Sequence, residues 1–175
     1  MGHFVRRERP YQVHVVPSEM RRYGVPRKFV EYVLPLAPTY PGRLVVLGGH
    51  WTGSMGEGLL VGFHALGVRT AGSGLADLLG GLFNERLALS DAKVDLGEEQ
   101  LLQVNGQPRE DFVPDSCREA CEGRAGDDPL LEQAIRGARR IPAKSPGFAS
   151  LRGKAYFTTV NTRPLLPPFQ RSCPL

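Results

Sequence analysis

No stretch of this 175-residue sequence is apolar for long enough to cross a bilayer. The runs at Leu44–Leu47 and Leu59–Phe63 fall far short of the roughly 20 residues that a spanning helix needs. Nor does the N-terminus resemble a signal peptide: Met1-Gly2-His3-Phe4 runs straight into Arg6, Arg7 and Arg9 with no apolar segment behind them, so any export signal is expected on a longer parent chain. Cysteine is scarce. Cys117, Cys121 and Cys173 are too few for a disulfide framework, and no cluster of histidines or further cysteines surrounds the first two to make a zinc site. Free thiols are expected, with a Cys117–Cys121 bridge as the alternative. Acidic residues are absent from Pro142 to Leu175, where Lys144, Arg152, Lys154, Arg163 and Arg171 hold the whole basic excess of a chain whose formal charge is +4. The rest is near neutral, so the charge describes a solvated end rather than a nucleic-acid footprint, and no nucleic-acid partner is expected.

What is present falls into three parts. Residues 1–42 are rich in Arg, Tyr and Pro and are expected to form an N-terminal approach segment, with one alternating run at Tyr11, Val13 and Val15 and an apolar stretch at Phe29–Leu36. Residues 43–141 carry the regular patterning. Arg43–Leu47 is short, apolar and β-branched, as in a strand buried on both faces, and Gly48-Gly49 ends it. From Ser54 the period changes: Met55, Leu59, Phe63 and Leu66 recur three and four apart, and Gly67 closes a helix. Val68–Ala71 reads as a strand, followed by strands at Arg86–Leu89, Ala92–Leu96 and Leu101–Val104, the last entering an Asn105-Gly106 turn. A second helix starts at an Asp128 cap with Pro129 at its first position, carries Leu130, Leu131, Ala134 and Ile135, and ends near Arg140. Residues 142–175 hold six of the fifteen prolines without periodicity and are expected to be a disordered tail.

The segment from Gly48 to Glu57 carries the chemistry. It sets Ser54 where a buried strand gives way to a helix N-terminus, whose unpaired N–H groups and dipole stabilise an alkoxide or an oxyanion. Ser54-x-x-Glu57 is equally a capping box, each residue satisfying the other's backbone donor, and the two roles exploit the same amides. A Gly-x-Ser-x-Gly nucleophile elbow fits less well. Thr52 occupies the first glycine's place, and that architecture needs a base histidine after the serine. The only later histidine, His64, would lie about 15 Å along the helix at about 1.5 Å per residue. His50 precedes Ser54 across the turn and is either its base or a strand-end structural histidine.

The order of strand, Thr52-Gly53-Ser54-Met55-Gly56-Glu57, glycine-rich helix, Leu66-Gly67 and then Arg69-Thr70-Ala71-Gly72 resembles the C-terminal-processing (tail-specific) serine peptidases. In particular it resembles their relatives that include the tricorn core and the retinoid-binding repeats. Asn105-Gly106-Gln107-Pro108, Val113-Pro114-Asp115 and Asp128-Pro129-x-Leu131-x-x-Ala134 resemble later segments of that family in the same order, so the likeness runs from about Tyr40 to Arg139. It implies a crotonase/ClpP-like α/β fold, a β-sheet core with flanking helices, of which residues 43–141 would be the C-terminal part of a catalytic domain. It also implies a peptide or protein substrate, Ser54 as nucleophile, the Met55 backbone N–H as oxyanion donor, Glu57 as orienting residue, and no cofactor or metal.

The sequence departs from the family in its bases. Leu79 stands where the processing branch has a lysine, and the next lysine, Lys93, falls in a strand. Nothing matches the upstream histidine and glycine-rich region of the tricorn-like branch, and Glu110 is the nearest counterpart of its late glutamate. An incomplete domain that lacks its base is therefore expected. The alternative is a non-catalytic module of the same fold that binds peptides or apolar ligands.

Overall fold

A computed structural model of the chain describes residues 1–25, 27–78, 80–117 and 128–141. In chain order its elements are β1 (Arg9–Val16), α1 (Pro17–Tyr23), β2 (Arg27–Val33), β3 (Val45–Gly48), α2 (Met55–Ala65), β4 (Arg69–Gly72), β5 (Gly81–Arg86), β6 (Lys93–Leu102), β7 (Ser116–Cys117) and α3 (Pro129–Arg140). Single 3-10 turns lie at Gly2–Phe4 and Arg109–Asp111. The strands form two sheets. One is antiparallel with order β2-β1-β6-β5, and the other is parallel with order β3-β4-β7. The architecture is mixed α/β. Among the described residues no helix is long and apolar enough to cross a membrane.

The parallel sheet follows from the local pattern. β3 and β4 pair from Val45↔Arg69 to Gly48↔Gly72, and α2 is the crossover that parallel neighbours require. Thr70, Ala71 and Gly72 are buried in succession, so both faces of β4 are covered, and α2 and α3 are the helices packed on it. Asp115 fastens β7 alongside: its Oδ2 accepts from the Thr70 N–H at 2.8 Å and the Thr70 hydroxyl at 3.1 Å. Leu60, Val61, Leu75 and Phe112 form the core cluster, with Val46 against it.

α2 also packs on β1, which places it between the two sheets. Its glycines make this possible. A Cβ on Gly58 would lie 3.0 Å from Gln12 Oε1, and one on Gly62 would lie 2.9 Å from the Tyr11 ring. An alanine at Gly62 gains roughly 1 kcal/mol of helix propensity but overpacks a filled contact at a cost of roughly 1–3 kcal/mol. Gly62→Ala is expected to lower stability by about 1 kcal/mol, read as a lower urea midpoint. A raised midpoint would mean that β1 yields to the methyl group.

Several expectations are modified. Within residues 1–42, β1 and β2 supply two of the four strands of the antiparallel sheet. α1 has no buried residue and hence no apolar stripe by which to read it. The strand expected at Arg86–Leu89 ends at Arg86, since the chain turns over Leu87–Ser90 with the Ser90 N–H on the Leu87 carbonyl at 3.2 Å and Leu89 fully exposed. The two strands expected at Ala92–Leu96 and Leu101–Val104 are one strand, β6. Cys117 is disulfide-bonded, not a free thiol, and its sulfur partner lies outside the described residues. The expectation for residues 142–175 also falls outside them.

Candidate active site

After β3 the chain turns through Gly49–Thr52, where the Gly49 N–H donates to Thr52 Oγ1 at 3.0 Å and the Thr52 N–H to the Gly49 carbonyl at 2.7 Å. The Ala76 N–H bonds the Thr52 carbonyl at 3.1 Å and ties this turn to the segment beyond β4. Ser54 then caps α2 with φ 53° and ψ −118°. A positive φ on a non-glycine residue stores roughly 1–3 kcal/mol and persists only where the surroundings enforce it. Ser54 is exposed, as is Met55 beside it. The Met55 N–H is the first amide of the helix and has no intrahelical acceptor.

The enforcing groups lie underneath. Glu57 is 2% exposed, and its carboxylate accepts from the Ser54 N–H at 2.9 Å and from the Leu78 N–H at 3.1 Å. Both halves of the expected capping box are present, the Glu57 side chain on the Ser54 N–H and the Ser54 side chain toward the Glu57 N–H, the latter short of strict hydrogen-bond geometry. Arg109, 3% exposed, pairs with Glu57 Oε2 at 3.1 Å and donates to the Ser54 carbonyl at 3.4 Å and to the Leu78 carbonyl. Burial pushes the Glu57 carboxyl above its usual range, a tendency that Arg109 and then the Leu78 and Ser54 amides oppose. Asp77, itself at φ 54°, adds to the upward push.

The other sequence candidates stand apart from the hydroxyl. His50 is half-buried with its ring 4.4 Å from that of Trp51, and no histidine hydrogen-bonds Ser54 among the described residues. His64 lies near the far end of α2, 3.5 Å from Asp115. Glu110 lies on the turn beside Arg109, its side chain lining a cleft of about 270 Å³ with Pro17, Arg21, Glu98 and Glu99. Arg109 is the residue that sequence reasoning missed. Within Arg109-Glu110-Asp111 it has the signature of a solvated turn. Among the described residues, no three His, Cys, Asp or Glu side chains gather as a metal-binding group.

Exposed apolar side chains stand on the segments that lead into and out of Ser54 and on the Leu78 segment tied to it. Trp51, Met55, Leu59 and Leu78 are all exposed. Met55 and Leu59 are one turn apart on α2, and a Cβ at Gly53 would touch the Leu78 side chain at 2.8 Å.

No protein-family model matches the sequence, and no curated protein matches it either. Its backbone is similar to a solved structure from Parabacteroides merdae ATCC 43184 described as a "putative peptidase", with a TM-score of 0.60 and 18% sequence identity. The likeness covers 78% of this chain and 45% of that one, so this chain spans less than half the neighbour's length. At that identity the likeness is one of fold.

Proposed function

We propose that this chain carries the nucleophile of a serine-type peptidase of the tail-specific, tricorn-like kind, on a crotonase/ClpP-like core, with Ser54 as the attacking residue. The Ser54 oxygen adds to the peptide carbonyl carbon while its proton passes to a base from outside the described residues. The carbonyl oxygen takes up the negative charge, which the Met55 N–H and the α2 dipole stabilise, and the amine then leaves with a proton as the acyl-enzyme forms. Glu57 orients the turn. The observation that carries the proposal is the exposed, strained backbone of Ser54 at a helix start, held from beneath by buried charged groups. A fold shared with a "putative peptidase" supports it.

A serine-directed fluorophosphonate tests the assignment. The wild-type chain is expected to form a covalent adduct on Ser54, and Ser54→Ala is expected to lose it entirely. An intact, folded protein that takes up no probe would overturn the proposal.

A second reading, a non-catalytic module that binds peptides or apolar ligands, draws on the exposed Trp51, Met55, Leu59 and Leu78 and on the absence of a hydrogen-bonded histidine among the described residues. It predicts peptide binding that survives in Ser54→Ala together with no adduct in the wild type.

A further inference from the structure

Ser54 and Leu78 are gripped in the same way at both ends of their peptide units. Each gives its N–H to Glu57 and receives a donor on its carbonyl from Arg109. Arg109 reaches Ser54 from 55 residues further along the chain. We propose that Arg109 is a positioning residue for the Ser54 site, acting with Glu57 as a two-pronged clamp that joins the Ser54 turn to the Asp77-Leu78 segment as one rigid unit. The functional consequence, a nucleophile held ready for attack, rests on the peptidase reading; the clamp itself does not.

Stability alone does not account for such a pair. Both side chains are 3% exposed, and a buried ion pair is commonly replaced by apolar residues of similar volume with little loss, because desolvating the charges consumes most of their attraction. The contacts are nevertheless placed where the backbone is least relaxed: Ser54 and Asp77 are the two non-glycine residues with positive φ among the described residues, and the clamp holds Ser54 itself and the residue after Asp77. A guanidinium suits the task, since its planar fork serves several acceptors at fixed angles, as an ammonium on a flexible stem does not.

The test compares wild type with Arg109→Lys and with the double variant Glu57→Gln/Arg109→Met, which removes both charges together and leaves none stranded. Amide hydrogen exchange of Ser54 and Leu78 is the first readout and needs no catalysis. In the double variant both amides are expected to exchange at least about 10-fold faster while amides of β1 and β6 stay protected. Arg109→Lys, with the charge but not the fork, is expected to fall between. Adduct formation by the fluorophosphonate is the second readout, and its maximal rate is expected to drop about 10-fold or more in the double variant with little change in probe affinity. The single variant Arg109→Met adds a pH signature. Glu57 then faces Asp77, the two amides and its own burial without a cation, so the fall of the adduct rate toward acid is expected to begin at higher pH than in the wild type, where burial already raises this carboxyl.

Unchanged protection of both amides in a cooperatively melting double variant would overturn the clamp. If that variant does not melt cooperatively, the same comparison on Arg109→Lys decides. A wild type that forms no adduct removes the peptidase reading, while the exchange data still decide the role of Arg109.

Discussion

Gly72→Ala is expected to abolish the folded state. At this residue φ is 141°, and a Cβ would sit 1.7 Å from the carbonyl oxygen of Gly48 and 2.8 Å from its carbonyl carbon. Both atoms are backbone of the paired strand, so no rotamer change relieves the clash; β3 and β4 would have to part. Their parting releases the Gly48↔Gly72 register and the Ser73 N–H bond to the Gly48 carbonyl. Overpacking a core that can adjust costs roughly 1–3 kcal/mol, and a backbone collision at the central strand exceeds that range and approaches the roughly 5–15 kcal/mol that hold a whole domain together. Gly106→Ala is the control: its φ is also positive, at 90°, but a Cβ there meets nothing within 4 Å. It should lose only the roughly 1–2 kcal/mol of left-handed strain. Thermal unfolding followed by circular dichroism separates the two. A cooperative transition in Gly72→Ala at the wild-type midpoint would show that the two strands do not pack as described.

The second large effect is expected at His14, in the middle of the antiparallel sheet. Its Nδ1 lies 2.7 Å from Glu99 Oε1 on β6 and its Nε2 3.0 Å from Glu31 Oε2 on β2, while its ring stacks on Phe29 at 4.5 Å. One imidazole thus bridges two carboxylates, with Gln12 Nε2 also 3.1 Å from its Nε2. His14→Ala removes the ring that bridges the two acids and leaves Glu31 with the Gln12 amide at 3.3 Å in its place. Breaking a buried pair costs roughly 3–5 kcal/mol, and because the Glu31 side chain is 35% exposed the expectation here is about 2–4 kcal/mol. Urea unfolding reads it directly; a loss below about 1 kcal/mol would mean that solvent already screens the cluster.

The same cluster gives the stability curve its shape. Burial would raise the Glu31 carboxyl above its usual 4.5, but hydrogen bonds from His14 and Tyr11, with the charge of His14, hold it lower. A carboxylate lowered in the folded state stabilises above its unfolded value and loses that contribution as pH falls through the folded one. Wild-type stability should therefore decline below 4.5, and His14→Ala should flatten that decline. Tyr11 works at the other end. Burial, reinforced by the hydrogen bond with Glu31, pushes its hydroxyl up to about 12 from the usual 10.0, so its contribution is present below 10.0 and is lost as pH rises toward 12.

These residues also mark how far the sequence could be read. β3, α2 and β4 were legible because their signals are local: a β-branched run, a repeat of three and four, and Gly67, which takes φ 80° to end the helix. The Asp128 cap was legible for the same reason, its Oδ1 accepting the Leu131 N–H at 2.9 Å. Ser54 at the helix start follows from the same pattern. The groups that hold Ser54 do not. Glu57 announces the capping box with Ser54, yet its ion pair with Arg109 joins segments far apart in the chain, and no periodicity records such a meeting. β5 precedes the strand expected at Arg86–Leu89 and opens at Gly81, which pairs with Glu99 but carries no side chain to signal a strand. His14 sits in an alternating run that predicts a strand and says nothing of the two acids brought to it by the later strands β2 and β6.

Wedged between two sheets, α2 meets side chains of β1 directly at Gly58 and Gly62 and the glycine end of β3 at Leu60. A helix flanked this closely can neither roll nor slide without collision. Any motion near the Ser54 turn is therefore left to segments outside α2 and outside the Leu78 stretch, which Glu57 and Arg109 tie to that turn.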